Sequence, residues 1–230
     1  MTRALRHFTV GCALALVAGV GLTASPAGAA TGSPPQTQPD SGSMFPGNVA
    51  FIDVLVNDTD PDGDDLAVCR VGDSPSKHLE AIVDGDQLVI LASPRVKPGT
   101  YTFTYYACDF SYLTPGTATL TVDPVPNIQV KKLAGKPGKL KVKNPADFRI
   151  LFIFGSFREQ SPDGEVTVKK NSSKVITVQR NKIGWIAFTR DGQFLKIGRV
   201  KNIALPLGTQ PPASGRVTLS PRMTSVWRSQ

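Results

Sequence analysis

Histidine and cysteine are nearly missing from this chain, which has two of the former and three of the latter among its 230 residues. His7 lies in a leading segment that reads as removable, so His78 alone remains for imidazole chemistry. Zinc sites built on several histidines cannot be assembled from it, and a Ser-His-Asp triad would have to use that one residue. After Leu22 no run approaches the roughly 20 apolar residues that a membrane-spanning helix requires. No apolar 3.6-residue period persists either, which argues against amphipathic helices as the main element. Gly135-Lys136-Pro137-Gly138-Lys139 lacks the spacing and the Ser or Thr of a phosphate loop. Glu159 and Asp163, close together in a charged loop, read first as a solvated turn, with the carboxylate pair of a carbohydrate-active hydrolase as the alternative. No catalytic residue is assigned, and the chain is expected not to be an enzyme.

The formal net charge of +8 conceals a division. Residues 31–125 carry about 4 basic against 13 acidic side chains, and residues 126–230 carry about 20 against 5. Ahead of both, Arg3 and Arg6 precede an apolar segment from Phe8 to about Leu22, and Ala27-Gly28-Ala29 supplies small residues for cleavage. Residues 1–29 therefore read as a secretory signal peptide, with the mature chain beginning near Ala30 and expected to be soluble outside the cytoplasm. Cys12 would be lost with that segment. An even pair, Cys69 and Cys108, then remains in an oxidising compartment and is expected to form a disulfide. Closing that loop would stabilise the fold by roughly 4 kcal/mol in the chain-entropy model.

Residues 30–44, rich in Pro, Ser, Thr, Gly and Gln, read as a flexible spacer. From 45 to 122 short runs between turn signals predict strands: Ala50 to Val56, Leu66 to Val71, Leu79 to Val83, Gln87 to Leu91, Thr100 to Cys108 and Thr117 to Val122. That spacing argues for an antiparallel β-sandwich. Alternation places Tyr101, Phe103, Tyr105 and Ala107 on one face and Thr102, Thr104, Tyr106 and Cys108 on the other. With the aromatic face inward, both cysteines fall outside the core, and a cross-strand bridge requires the two strands to be neighbours.

Within this region Asp53 to Cys69 reads DVLVNDTDPDGDDLAVC, two apolar runs around a turn crowded with carboxylates. Together with Gly99-Thr100-Tyr101-Thr102-Phe103-Thr104-Tyr105 and Gly116-Thr117-Ala118-Thr119-Leu120-Thr121-Val122, it resembles the cadherin-like, immunoglobulin-like repeats of bacterial surface proteins. The resemblance implies an extracellular β-sandwich module associated with adhesion. It also implies calcium binding through Asn57, Asp58, Asp60, Asp62 and Asp64. An EF-hand is excluded, because Cys69 stands where a bidentate Glu is required and the flanks are strands. Calcium held by several of these carboxylates competes with a solvated Asp/Gly turn whose side chains hold their own backbone.

Asp123-Pro124-Val125-Pro126 reads as a stiff joint, giving a linker at 123–127. A second, basic β-sandwich is expected over 128–205, with strands at Ile128 to Lys132, Lys139 to Lys143, Arg149 to Phe157, Glu165 to Lys170, Lys174 to Gln179, Ile183 to Phe188 and Phe194 to Val200. The unbroken apolar run in the third of these predicts a central strand covered on both faces, and Asn171-Ser172 suggests a tight hairpin. Residues 206–230 read as a Pro/Ser/Gly-rich tail with a short strand at Arg216 to Leu219. Lys139, Lys141 and Lys143, alternating with Leu140 and Val142, form a basic strand face to which Lys169, Lys170 and Lys174 are expected to add. Such a surface attracts polyanions, here an anionic cell-surface polymer or an acidic protein surface, and less so in salt. Export excludes intracellular nucleic acid. Lysines protecting strand edges are the plainer alternative, and the opposite charges of the two halves allow self-association.

Overall fold

The computed structural model describes residues 32–212 and 217–230, and its only α-helix there is short. The signal-peptide segment and Arg216 lie outside the described residues. No helix among those described is long and apolar enough to cross a membrane.

Among the described residues fourteen strands make two sandwiches in tandem. In the first, β1 (Asp40–Met44), β7 (Leu113–Val122), β6 (Gly99–Cys108) and β3 (Ala67–Val71) form one sheet in that order. β2 (Val49–Asp53), β5 (Gln87–Ala92) and β4 (Leu79–Asp84) form the other. Phe103, Tyr105 and Ala107 of β6 meet Leu88 and Ile90 of β5 in a closed core, which is the inward face expected from alternation. The pairs Thr100↔Thr121 and Thr102↔Thr119 leave hydroxyls on the solvent side.

Asp40–Met44 corrects the spacer reading. The segment pairs in parallel with β7 with Asp40, Gly42 and Met44 inward, and because Met44 alone among these is a large apolar side chain the composition carries no strand signal.

In the second sandwich, β11 (Gly164–Val168), β10 (Ile150–Gly155), β13 (Ile183–Phe188) and β14 (Phe194–Val200) form one sheet. β12 (Ser172–Thr177), β9 (Lys139–Asn144) and β8 (Gln129–Lys132) form the other. The apolar run of β10 is central and covered twice. Ile150, Phe152 and Phe154 face the sandwich core, whereas Ile153 faces a separate cluster with Ile186, Phe188 and Trp227.

Trp227 belongs to α1 (Pro221–Arg228), which corrects the reading of 206–230 as a tail. Ser220 caps the helix and Pro221 opens it, a combination suited to a helix start. Val217–Leu219, within the expected short strand, is not a strand. Nor is Asn171-Ser172 a hairpin. β11 pairs with β10 and β12 pairs with β9, so the chain crosses between sheets there, with Asn171 at φ 49°.

The two sandwiches meet closely. Met44 enters the first core while its neighbour Phe45 enters the second and lies against Phe148, with ring centres 5.8 Å apart. Successive strand residues point to opposite sides, so one dipeptide is shared between two cores.

Candidate functional site

The acidic turn connects β2 to β3, and its side chains are engaged mainly with backbone. Asp58 accepts Gln38 N–H at 2.8 Å through Oδ1 and the Tyr105 hydroxyl at 2.8 Å through Oδ2. Burial, reinforced by Asp58, pushes the Tyr105 hydroxyl's pKa well above the ordinary phenol value, so it remains a donor. Asn57 Nδ2 donates to Pro39 O at 3.4 Å, Gln36 and Thr59 exchange backbone bonds at 2.7 and 3.1 Å, and Asp62 accepts Ser33 N–H. Read in order, 57 to 62 fasten 39 back to 33. Asp60 Oδ1 closes the turn itself by accepting the N–H groups of Asp62 at 2.8 Å and Asp64 at 3.3 Å. Gly63, at φ 81°, supplies the left-handed residue the bend requires.

Calcium takes six to eight oxygens, and the carboxylates as placed do not converge to supply them. Among the described residues no group of three or more Asp, Glu, His or Cys side chains is arranged around a common point. Asp40 Oδ2 and Asp60 Oδ2 are buried without a hydrogen-bond partner.

Cys69 and Cys108 are joined, with their Cα atoms 5.9 Å apart. Their strands, β3 and β6, are neighbours, and Cys69 sits at a bulge where the register shifts between Val68 and Arg70. Both are outside the main core cluster, but Cys108, unlike Cys69, is itself covered. Glu159 and Asp163 are not a solvated pair. Arg180 binds Asp163 through Nε at 2.8 Å and Nη2 at 3.2 Å and reaches Glu159 at 3.6 Å, which makes a clamp across the loop.

The six lysines expected to share one surface divide into two groups. Lys139, Lys141 and Lys143 project from the outer face of β9, opposite the phase of buried Leu140 and Val142. Lys174 is paired with Val142 and so has the inward phase, at the end of an edge strand where the core gives out. It lies instead beside Lys169 and Lys170 on a cleft of about 1350 Å³ at the junction of the two sandwiches.

Arg149 and Arg190 complete the basic lining, Phe45 and Phe148 give it an apolar wall, and Asp123, Asp147 and Asp191 are its carboxylates. The Thr189 hydroxyl, helped by Gln193 and Arg222, holds Asp191 below the usual carboxylate range despite partial burial. Chain proximity could not have shown that Arg149, Arg190 and Phe148 join Lys169. They are brought together by the crossing at 169–171 and by the β13–β14 turn.

Residues 32–123 match the bacterial Ig domain family, so this part of the chain is an immunoglobulin-like module. The match includes β1. No curated protein matches the chain. Among solved structures, a chimeric titin Z1Z2 carrying a decorin-derived peptide is similar at 13% identity with TM-score 0.29, covering 76% of this chain and 98% of that one. The endo-fucoidan hydrolase MfFcnA9 of glycoside hydrolase family 107 is similar at 17% identity with TM-score 0.32. That match covers 73% of this chain and 34% of the hydrolase. Titin Ig tandem domains A164-A165 are similar at 13% identity with TM-score 0.27, covering 76% of this chain and 98% of theirs.

Proposed function

We propose that this is a non-enzymatic extracellular surface-binding protein whose partner is an anionic polymer of the cell surface, held in the junction cleft by Arg149, Lys169, Lys170, Lys174 and Arg190. The observation that carries the reading is five cations, drawn from three separate stretches, around one cleft that holds three carboxylates. A concave site with one predominant sign of charge concentrates ligands of the other sign. Clefts between domains are common ligand sites, and the Phe45–Phe148 wall suits the apolar face of a sugar ring. A repeating acidic polysaccharide or a phosphate-linked polymer has the matching chemistry. The bacterial Ig match over 32–123 supports a surface module, and the Arg3, Arg6 and Ala27-Gly28-Ala29 pattern supports export.

The reading is tested by titrating the protein with polygalacturonate, a poly(glycerol phosphate) and uncharged dextran at low salt. Binding of at least one anionic probe, weakened about tenfold or more by Lys169→Glu with Lys174→Glu and by raising the salt, is expected. Lys141→Glu with Lys143→Glu should leave it nearly unchanged. Equal binding of dextran, or no binding of either anionic probe, would overturn the assignment.

A further inference from the structure

Two outer sheet faces, one in each sandwich, are uncovered among the described residues and are chemically opposite. On the outer side of β2-β5-β4 the register gives three rows: Val49–Leu91–Glu80, Phe51–Val89–Ile82 and Asp53–Gln87–Asp84. Five of these nine side chains are apolar and contiguous, three at the rim are carboxylates, and none is basic. Phe51 is 62%, Ile82 45% and Leu91 39% exposed, so the chain itself does not cover them. A single exposed Leu needs no explanation, whereas a contiguous patch inside a polar rim marks an interaction surface.

On the outer side of β12-β9-β8 the rows are Ser173–Lys143–Gln129 and Val175–Lys141–Lys131, with Thr177–Lys139 beyond them. Four lysines share this face with Val175, which is 52% exposed, and no carboxylate lies on it. Lys131 stands directly opposite Lys141, a like-charge pairing that disfavours the sheet by itself. Among the described residues both ion pairs belong to Arg180, so none of these charges is paired within the chain.

We propose that the β2-β5-β4 face of one molecule docks on the β12-β9-β8 face of a second copy of this chain. Two such faces pack as sheets about 10 Å apart, and lysine stems lie across apolar surface while their ammonium groups reach a charged rim. Phe51, Ile82 and Leu91 would then lie against Val175 and the stems of Lys141 and Lys143, with Glu80, Asp53 and Asp84 around them. Each molecule carries one face of each kind, so the contact is head-to-tail and extends beyond a dimer unless its rotation closes a ring. The junction cleft is not used, which makes the inference independent of the polymer-binding reading.

Sedimentation velocity on the purified protein tests it, in about 20 mM and about 500 mM sodium chloride, where the screening length differs several-fold. Concentration-dependent association beyond the dimer is expected at low salt, weakened about tenfold or more at high salt. Glu80→Lys with Asp84→Lys destroys one face, and Lys141→Glu with Lys143→Glu destroys the other. Each variant alone should remain monomeric. Mixed together they should associate again, because each still offers the face the other lacks. Phe51→Ser and Lys131→Glu repeat the test if either double variant melts far below the parent. A parent that stays monomeric at low salt, a variant that associates like the parent, or a mixture that stays monomeric would each overturn the docking.

Discussion

Tyr105 shows how one side chain organises its surroundings. Its hydroxyl bonds Asp58, and its ring lies against Gly116, where an added Cβ would come within 2.2 Å of the ring. Asp40, close by, is buried with one carboxylate oxygen unpartnered. Burial first, then the charges of Asp58 and Asp53, raise its pKa above the ordinary value against the opposing influence of the nearby Tyr105 and Asn57 donor groups. A carboxyl whose folded-state pKa is raised destabilises the fold when ionised. That penalty is complete above the folded-state pKa and vanishes below the unfolded one, about 3.9. Asp40→Asn should therefore melt at a higher temperature than the parent at pH 7, with the difference shrinking toward pH 3.5. Melts at several pH values check this, and a variant less stable at pH 7 would contradict it. None of this was legible from the string of aspartates, since Asp40 and Asp58 are eighteen positions apart.

At the level of elements, alternation alone placed β6 correctly, because a strand with one dry face records its orientation in every second residue. The strands of the basic half were legible from two patterns, alternation in β9 and unbroken apolar runs in β10 and β13. The sheets they join were not, and the Asn171 region misled because a crossing between sheets uses the same turn residues as a hairpin. The final helix escaped notice because eight residues with few apolar positions leave too short a period to detect. Its contribution is nonetheless large. Trp227 is 1% exposed, donates to Glu159 O at 3.1 Å and meets Phe157 edge-on at 4.8 Å. Trp227→Ala should cost about 3 kcal/mol or more and uncover Ile153, Ile186 and Phe188. A denaturant melt with an apolar dye measures both, and a loss under about 1 kcal/mol would mean that the helix only rests on the sheet.

For the whole molecule the junction depends on Asn48. Its side-chain amide donates to Phe45 O at 3.0 Å and Phe194 O at 2.8 Å and accepts Phe194 N–H at 2.8 Å and Arg222 Nη2 at 3.1 Å. One residue of the β1–β2 turn thus pairs with β14 as a strand would, and also holds α1. Asn48→Ala would strand both Phe194 backbone groups, each at about 1–3 kcal/mol. Calorimetry should then resolve two transitions in place of one, together with a weaker grip on any cleft ligand. An unchanged single transition would show that Phe45 alone holds the halves together.

The sequence by itself determined the all-β class, the positions of most strands though not of β1, the opposite charges of the halves and the pairing of Cys69 with Cys108. These follow from periodicity, composition and parity, which are properties of neighbouring residues. Only the tertiary structure decided which lysines share a surface, why the acidic turn binds 33–39, and where the cleft lies. Those outcomes depend on which sheet each strand enters, and that is set by packing between residues far apart in the chain.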